Sequence, residues 1–141
     1  MQFHTREFGV ATRGKGLYEF TRDVERWLGE CRVETGLLTL FCRHTSASLL
    51  IQENADPDVV ADLKSFFERL APEDARLYRH EDEGPDDMPA HLRAALTQTS
   101  LSIPIVSGRM ALGTWQGIYL FEHRGAPHRR GVQAMLLGET L

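Results

Sequence analysis

Basic tracts, long apolar runs and cysteines are what this chain is short of, and each shortage closes off a class of function. Its 141 residues carry 16 Lys+Arg against 20 Asp+Glu, a formal net charge of −4, with the positive charges scattered rather than massed. Such a surface does not track a phosphate backbone, so nucleic acid is not an expected partner. No apolar stretch approaches the ~20 residues that a membrane-spanning helix needs. The first ten residues, MQFHTREFGV, hold charges where a secretion signal needs an apolar centre, which makes the cytoplasm the expected compartment. The only cysteines are Cys31 and Cys42, one on a predicted helical stripe and one ending an apolar strand. Neither has an activating neighbour in sequence, so two inert buried thiols are expected rather than a disulfide or a nucleophile. A glycine-rich phosphate loop is missing too, since Gly14-Lys15-Gly16 is too short and lacks the flanking elements.

What is present is the composition of an ordinary globular protein, 42% hydrophobic and 26% charged, long enough for one domain over residues 1–141 with a sizeable core. Phe3, Phe8 and Val10 stand among polar neighbours and predict an outer strand over residues 2–11. After the Gly14–Gly16 turn, Thr21 is placed to cap a helix whose apolar residues Val24, Trp27, Leu28 and Cys31 recur at helical spacing. Leu37 to Cys42 is nearly all apolar and predicts a central or doubly buried strand. Asp56-Pro57 starts a second helix, with a capping carboxylate ahead of a proline whose missing N–H costs nothing there. Val60, Leu63, Phe66, Phe67 and Leu70 form its apolar face. Residues 73–88 are acidic and aperiodic, a long loop of the kind that is functional or disordered. A short helix follows over Pro89 to Leu96, with Asp86 and Asp87 at its positive end. From Ser100 onward, evenly spaced turns separate strands over 100–106, 109–112, 115–122 and 131–137, which points to antiparallel hairpins. The fold class is therefore α+β, a mostly antiparallel sandwich or barrel-like core of six to seven strands with about three inserted helices.

The stretch the chain is organised around is Phe41 to Asp58, FCRHTSASLLIQENADPD. Two apolar runs are interrupted there by an imidazole and a set of hydroxyls, chemistry that buried strands alone do not need. His44 ends a predicted buried strand, His80 lies in the acidic loop, and His91 falls in the first turn of a helix, where the dipole disfavours imidazolium. Neutral imidazoles serve as metal ligands or general bases. Their separations of 36 and 11 residues match no compact zinc pattern, so each could equally be an isolated, hydrogen-bonded side chain. Glu53, Asp56 and Asp58, then Asp82, Glu83, Asp86 and Asp87, could hold magnesium or complete a histidine site, or could simply be caps and a solvated loop. Thr45, Ser46 and Ser48 could donate to a phosphate, with Arg109 supplying charge. His4, His123 and His128 read as surface residues, and Trp115 and Tyr119 as core aromatics.

Three long motifs in order, HTSASLLIQENADPDVVADL, YRHEDEGPDDMPAHLRAAL and SIPIVSGRMALGTWQGIYLFEHRG, resemble the YjbQ-like family, which carries the name secondary thiamine-phosphate synthase. The resemblance covers nearly the whole chain. It implies a compact β-sandwich with helices that associates as a homotrimer, with His44, His80 and His91 converging on a cleft that takes a metal or an anion. It also implies that Glu53, Asn54, Asp56, Asp87, Arg109, Thr114 and Gln116 line or support that cleft. The expected centre is then a divalent metal on the three histidines, zinc-like or else magnesium. Arg109, Thr45, Ser46, Asn54, Thr114 and Gln116 would hold a phosphate or pyrophosphate, and Glu53 or Asp87 would act as acid–base. The implied reaction is thiamine-phosphate synthesis, although dedicated enzymes for it are (β/α)₈ barrels, which need ~200 residues or more. Metal-dependent phosphate-ester hydrolysis is the alternative activity. A non-catalytic trimeric protein that holds an anionic metabolite is the alternative without turnover.

Overall fold

In the computed structural model, which describes residues 1–140, two antiparallel sheets face each other across one apolar core. The strands are β1 (Gln2–Thr12), β2 (Gly16–Glu19), β3 (Thr35–Cys42), β4 (Ala47–Glu53), β5 (Ser100–Val106), β6 (Arg109–Met110), β7 (Gln116–Glu122) and β8 (His128–Glu139). One sheet runs β1-β8-β3-β5-β6 and the other β2-β7-β4. Leu38, Leu40, Ile103 and Leu136 from the first meet Leu49, Ile118 and Leu120 from the second, all fully buried. Helix α1 (Thr21–Cys31) closes one side of that core with Val24, Trp27 and Leu28. Both thiols are buried and free.

Several local expectations shift. β2 is an additional strand, too short at four residues to show alternation. The cap position of α1 belongs to Phe20. Thr21 is the first helical residue, and its hydroxyl accepts the Ile118 N–H (2.8 Å) while donating to Glu19 (2.8 Å), which ties the helix to β7. Helix α2 (Pro57–Leu70) starts as read, with Asp56 accepting the Asp58 N–H at 2.9 Å. Only Phe67 on its apolar face is buried, edge-on to Phe121, whereas Phe66 and Leu70 are about half exposed. Helix α3 begins at Asp87 and ends at Leu96, two residues earlier than the proline suggested.

β3 is central, between β8 and β5, yet it is buried on one face only. The outward residues of the large sheet fall into cross-strand rows. Phe3, Leu137, Leu37 and Pro104 form one row, and Thr5, Met135, Thr39 and Ser102 the next. Phe3, Leu37, Phe41 and Met135 are 40–68% exposed, so an apolar sheet face lies open to solvent. No helix among the described residues is long and apolar enough to cross a membrane.

Candidate functional site

β4 and β7 pair from Ala47 opposite Glu122 to Glu53 opposite Gln116. The polar residues singled out in the sequence sit at the two ends of this ladder, six residues or about 20 Å apart at strand rise.

At the Ala47/Glu122 end, the early start of α3 puts Asp87 and His91 four residues apart on one helical face. Asp87 is 4% exposed. One of its oxygens, Oδ2, lies 2.7 Å from His80 Nε2 and 2.9 Å from His91 Nε2, and the three candidate ligand atoms lie within 4.8 Å of one another. Its other oxygen accepts from Arg124 Nη1 at 2.7 Å. Arg124 is itself fixed, donating to Asp86 and to the Glu83 carbonyl, while Asp86 also accepts the Gly125 N–H. Burial alone would push the Asp87 carboxyl up, but the hydrogen bond from His80 and the charges of His91 and Arg124 outweigh it and hold its pKa below the usual carboxylate range. Asp86 is held low in the same sense against its own burial, by the Gly125 amide and Arg124. An ionised, clamped Asp87 suits a cation ligand better than a general acid.

His91 fixes the chemistry further. Its Nδ1 lies 2.9 Å from the Thr45 carbonyl oxygen, which can only accept, so Nδ1 carries the hydrogen. In the neutral ring that leaves a lone pair on Nε2 aimed at the Asp87 carboxylate. Lone pair and carboxylate repel unless a proton or a metal ion lies between them. A backbone carbonyl that orients a ligating imidazole in this way is the usual outer support of a metal-binding histidine. Both rings remain partly open to solvent, His80 at 38% and His91 at 33% exposure.

His44 does not join this group. Its Nε2 accepts the Gly131 N–H at 2.7 Å, and the residues around it are Arg43, Arg129 and Arg130. The structure thus unites two of the three expected imidazoles and supplies a carboxylate between them. Ser46 is also committed elsewhere, since its hydroxyl accepts from Arg130 at 3.0 Å, and Thr45 contributes its carbonyl.

At the Glu53/Gln116 end opens a cleft of about 1160 Å³ lined by Asn54, Arg109, Thr114, Trp115 and Gln116, with Glu19, Arg22 and Asp23 opposite. Asn54 donates to Glu19 (3.2 Å), and Gln116 accepts the Gly113 N–H (2.7 Å). Glu53 is turned to the start of α2, accepting the Asp56 N–H at 3.1 Å, and does not line the cleft. Trp115 is 62% exposed at this cleft and is not a core residue, whereas Tyr119 is buried as read.

Sequence reasoning passed over the polar residues that lie beneath the first end. Glu122 is fully buried and receives hydrogen bonds from Arg130, Thr12 and the His123 and Arg124 amides. Burial would push its carboxyl up, and Arg130 and Thr12 more than reverse this. His123, expected at the surface, is 1% exposed and shares a 2.9 Å hydrogen bond with Ser48. Burial, together with the charge of Arg93, lowers its pKa to about 3. The tripeptide Glu-His-Arg closing an apolar strand was the available signal, because charges there must be paired to be tolerated.

The sequence profile of the family described as UPF0047 protein YjbQ-like matches residues 6–139. The UPF0047 protein sll1880 of Synechocystis sp. is 58% identical over 131 residues, spanning 93% of this chain and 89% of that protein. YjbQ of Escherichia coli O157:H7 is 42% identical, spanning 92% and 94%. Among solved structures, a YjbQ/UPF0047 family protein of Clostridium acetobutylicum superposes with a TM-score of 0.85 at 34% identity, covering 94% of this chain and 99% of that one. A conserved hypothetical protein of Thermus thermophilus gives 0.83 at 39% identity, covering 94% and 99%. The chain belongs to the YjbQ-like UPF0047 family.

Proposed function

We propose that this protein is a metal-dependent enzyme acting on a phosphorylated small molecule, with His80, Asp87 and His91 as the ligands of a divalent ion. The observation that carries the reading is the convergence of His80 Nε2, His91 Nε2 and an Asp87 oxygen within 4.8 Å of one another, with the Thr45 carbonyl turning the His91 ring so that Nε2 meets the carboxylate. Two imidazoles and a carboxylate match a catalytic zinc site, in which three protein ligands leave a coordination position open. Ligand atoms around such an ion stand about 3.3 Å apart at bond lengths near 2.0–2.1 Å, so the present contacts need to open only slightly. Magnesium fits less well, because it takes oxygen ligands in preference to imidazole. When bound, the ion would polarise a phosphoryl oxygen and neutralise charge developing on a leaving phosphate.

The remaining residues orient and insulate. Arg124 keeps Asp87 ionised and fixed, Thr45 keeps the His91 ring in one tautomer, and the partly open rings leave a path for substrate. Phosphate-ester hydrolysis is the reaction this end of the molecule supports best. It is tested by assaying zinc-loaded protein against a panel of small phosphate esters, beside His91→Ala and Asp87→Asn. Release of phosphate by the wild type and its loss in both variants is the expected result. Metal bound with no turnover anywhere on the panel would favour the non-catalytic, anion-holding protein instead.

A second reading is the transferase activity that the sequence resemblance implied, formation of thiamine phosphate with loss of pyrophosphate. The cleft favours it, because Trp115 offers a ring face and Arg109 a charge for a heterocyclic phosphate. In one protomer that cleft lies about 20 Å along β4 from the histidines, so the reading needs the cleft of one subunit to meet the histidines of another. A homotrimer would allow this, and the exposed apolar rows of the large sheet support self-association. Light scattering that gives a monomer mass would remove it.

A further inference from the structure

The end of β3 and the start of β8 meet around a second, smaller pocket of about 320 Å³ that holds His44. Its walls carry Arg43, Arg129 and Arg130 against a single carboxylate, Glu7. Arg130 is neutralised by its buried pairing with Glu122, and Arg43 is loosely paired with Glu7 at 3.6 Å. Arg129 has no carboxylate within 4 Å and no hydrogen bond among the described residues, so its charge is uncompensated. The guanidinium lies across Gly9, where an added Cβ would come within 2.3–2.8 Å of Nη2, Cζ and Nε. Any other residue at position 9 would displace it.

His44 supplies a complementary donor. Because Nε2 accepts the Gly131 amide, the hydrogen of the neutral ring sits on Nδ1, and that nitrogen has no protein partner among the described residues. Burial, reinforced by the charge of Arg130, keeps the pKa of the ring below the ordinary histidine value and so favours this neutral, single-donor form.

We propose that this pocket is an oxyanion site for the phosphate group of a small molecule, held by the Arg129 guanidinium and the His44 Nδ1–H, with Arg43 at the rim. Phosphate is favoured over a carboxylate because a tetrahedral anion offers separate oxygens to the Arg129 fork and to the His44 Nδ1–H, whereas a planar carboxylate would be taken up by the guanidinium alone. The site shares no side chain with His80, Asp87 and His91, although Thr45, whose carbonyl orients His91, directly follows His44.

The test is a titration of the metal-free full chain with inorganic phosphate, followed by calorimetry and by the ¹⁵N and ¹H resonances of the His44 ring, with acetate as the carboxylate control. Phosphate should shift the His44 Nδ1–H signal and bind with an affinity that Arg129→Gln weakens about tenfold, the effect of losing one charge-assisted bond. Arg129 is exposed, so that variant should fold normally, and Gly9→Ala should weaken binding as well by displacing the guanidinium. His91→Ala should leave phosphate binding unchanged while abolishing metal binding, which separates this site from the proposed metal centre. An unmoved His44 signal, an affinity unaffected by Arg129→Gln, acetate binding as tightly as phosphate, or phosphate binding lost in His91→Ala would each overturn the proposal.

Discussion

The two ends of the β4/β7 ladder carry polar residues of the same kinds under opposite constraints. At the α3 end every group is held by another. Asp87 is buried, Arg124 grips it and is gripped by Asp86, and a backbone carbonyl sets the His91 ring. At the Trp115 end the groups lie open in a wide cleft, with Arg109, Thr114 and Trp115 all exposed. A centre meant to hold a cation needs its ligands fixed before the ion arrives, because ordering them on binding would cost affinity. A surface meant to receive a larger ligand can leave its contacts loose. The function proposed above uses this difference, with chemistry at the first end and recognition at the second.

The sharpest way to break this contrast is to remove the carboxylate. Asp87→Ala leaves the partly buried Arg124 short of one counter-ion and the two imidazoles facing each other. It should cost roughly 3–5 kcal/mol, the usual penalty for breaking a buried pair, and abolish metal binding. Denaturant unfolding with elemental analysis reads both effects. If Arg109→Ala at the cleft destabilised the protein equally, the contrast would be false.

Acid should expose the same asymmetry. The folded-state pKa of His123, about 3, lies below its ordinary value of 6.5. Between those values the unfolded chain binds a proton that the native state refuses, so stability falls as pH drops from about 6.5 towards 3. The slope approaches about 1.4 kcal/mol per pH unit within that window. Glu122 and Asp87, both held below their ordinary carboxylate values, are stabilising above that range and add to the loss as pH falls through their folded pKa values. Urea midpoints measured from pH 7 down to 4 should decline, and His123→Asn should flatten the decline. An unchanged slope in that variant would mean that another group titrates there.

Metal affinity should fall with pH as well, because the ligand nitrogens must be free of protons. Calorimetry in buffers of different ionisation enthalpy would detect the released proton. The smallest effect belongs to the cleft, where Trp115→Ala should change stability by less than about 0.5 kcal/mol, as exposed substitutions generally do. A larger loss would show that the tryptophan is covered in solution, as the proposed self-association would require.

Much of the architecture was legible because it follows from periodicity and caps. The α1 stripe, the Asp56-Pro57 start and the strand over residues 100–106 all hold. What misled was local pattern without register. Trp115 continues the odd-numbered alternation of β7 but lies one residue outside the strand, where nothing covers it. The strand itself is buried on both faces, so Glu122 and His123 are carried inside, where only partners distant in sequence make them tolerable. The histidines divide for the same reason. His80 and His91 meet through Asp87, whose role depends on α3 starting two residues before its proline, while the His44 ring is turned to β8 by the Gly131 amide, 87 residues away.

The most direct test of the account follows the imidazole nitrogens of His80, His91 and His44 by ¹H–¹⁵N long-range spectra while zinc is added. The account predicts that Nε2 of His80 and of His91 both become metal-bound, saturating at a single ion per chain, with the His44 ring unmoved. Zinc in excess that leaves His80 and His91 unshifted, or that binds as tightly to Asp87→Ala, would contradict it.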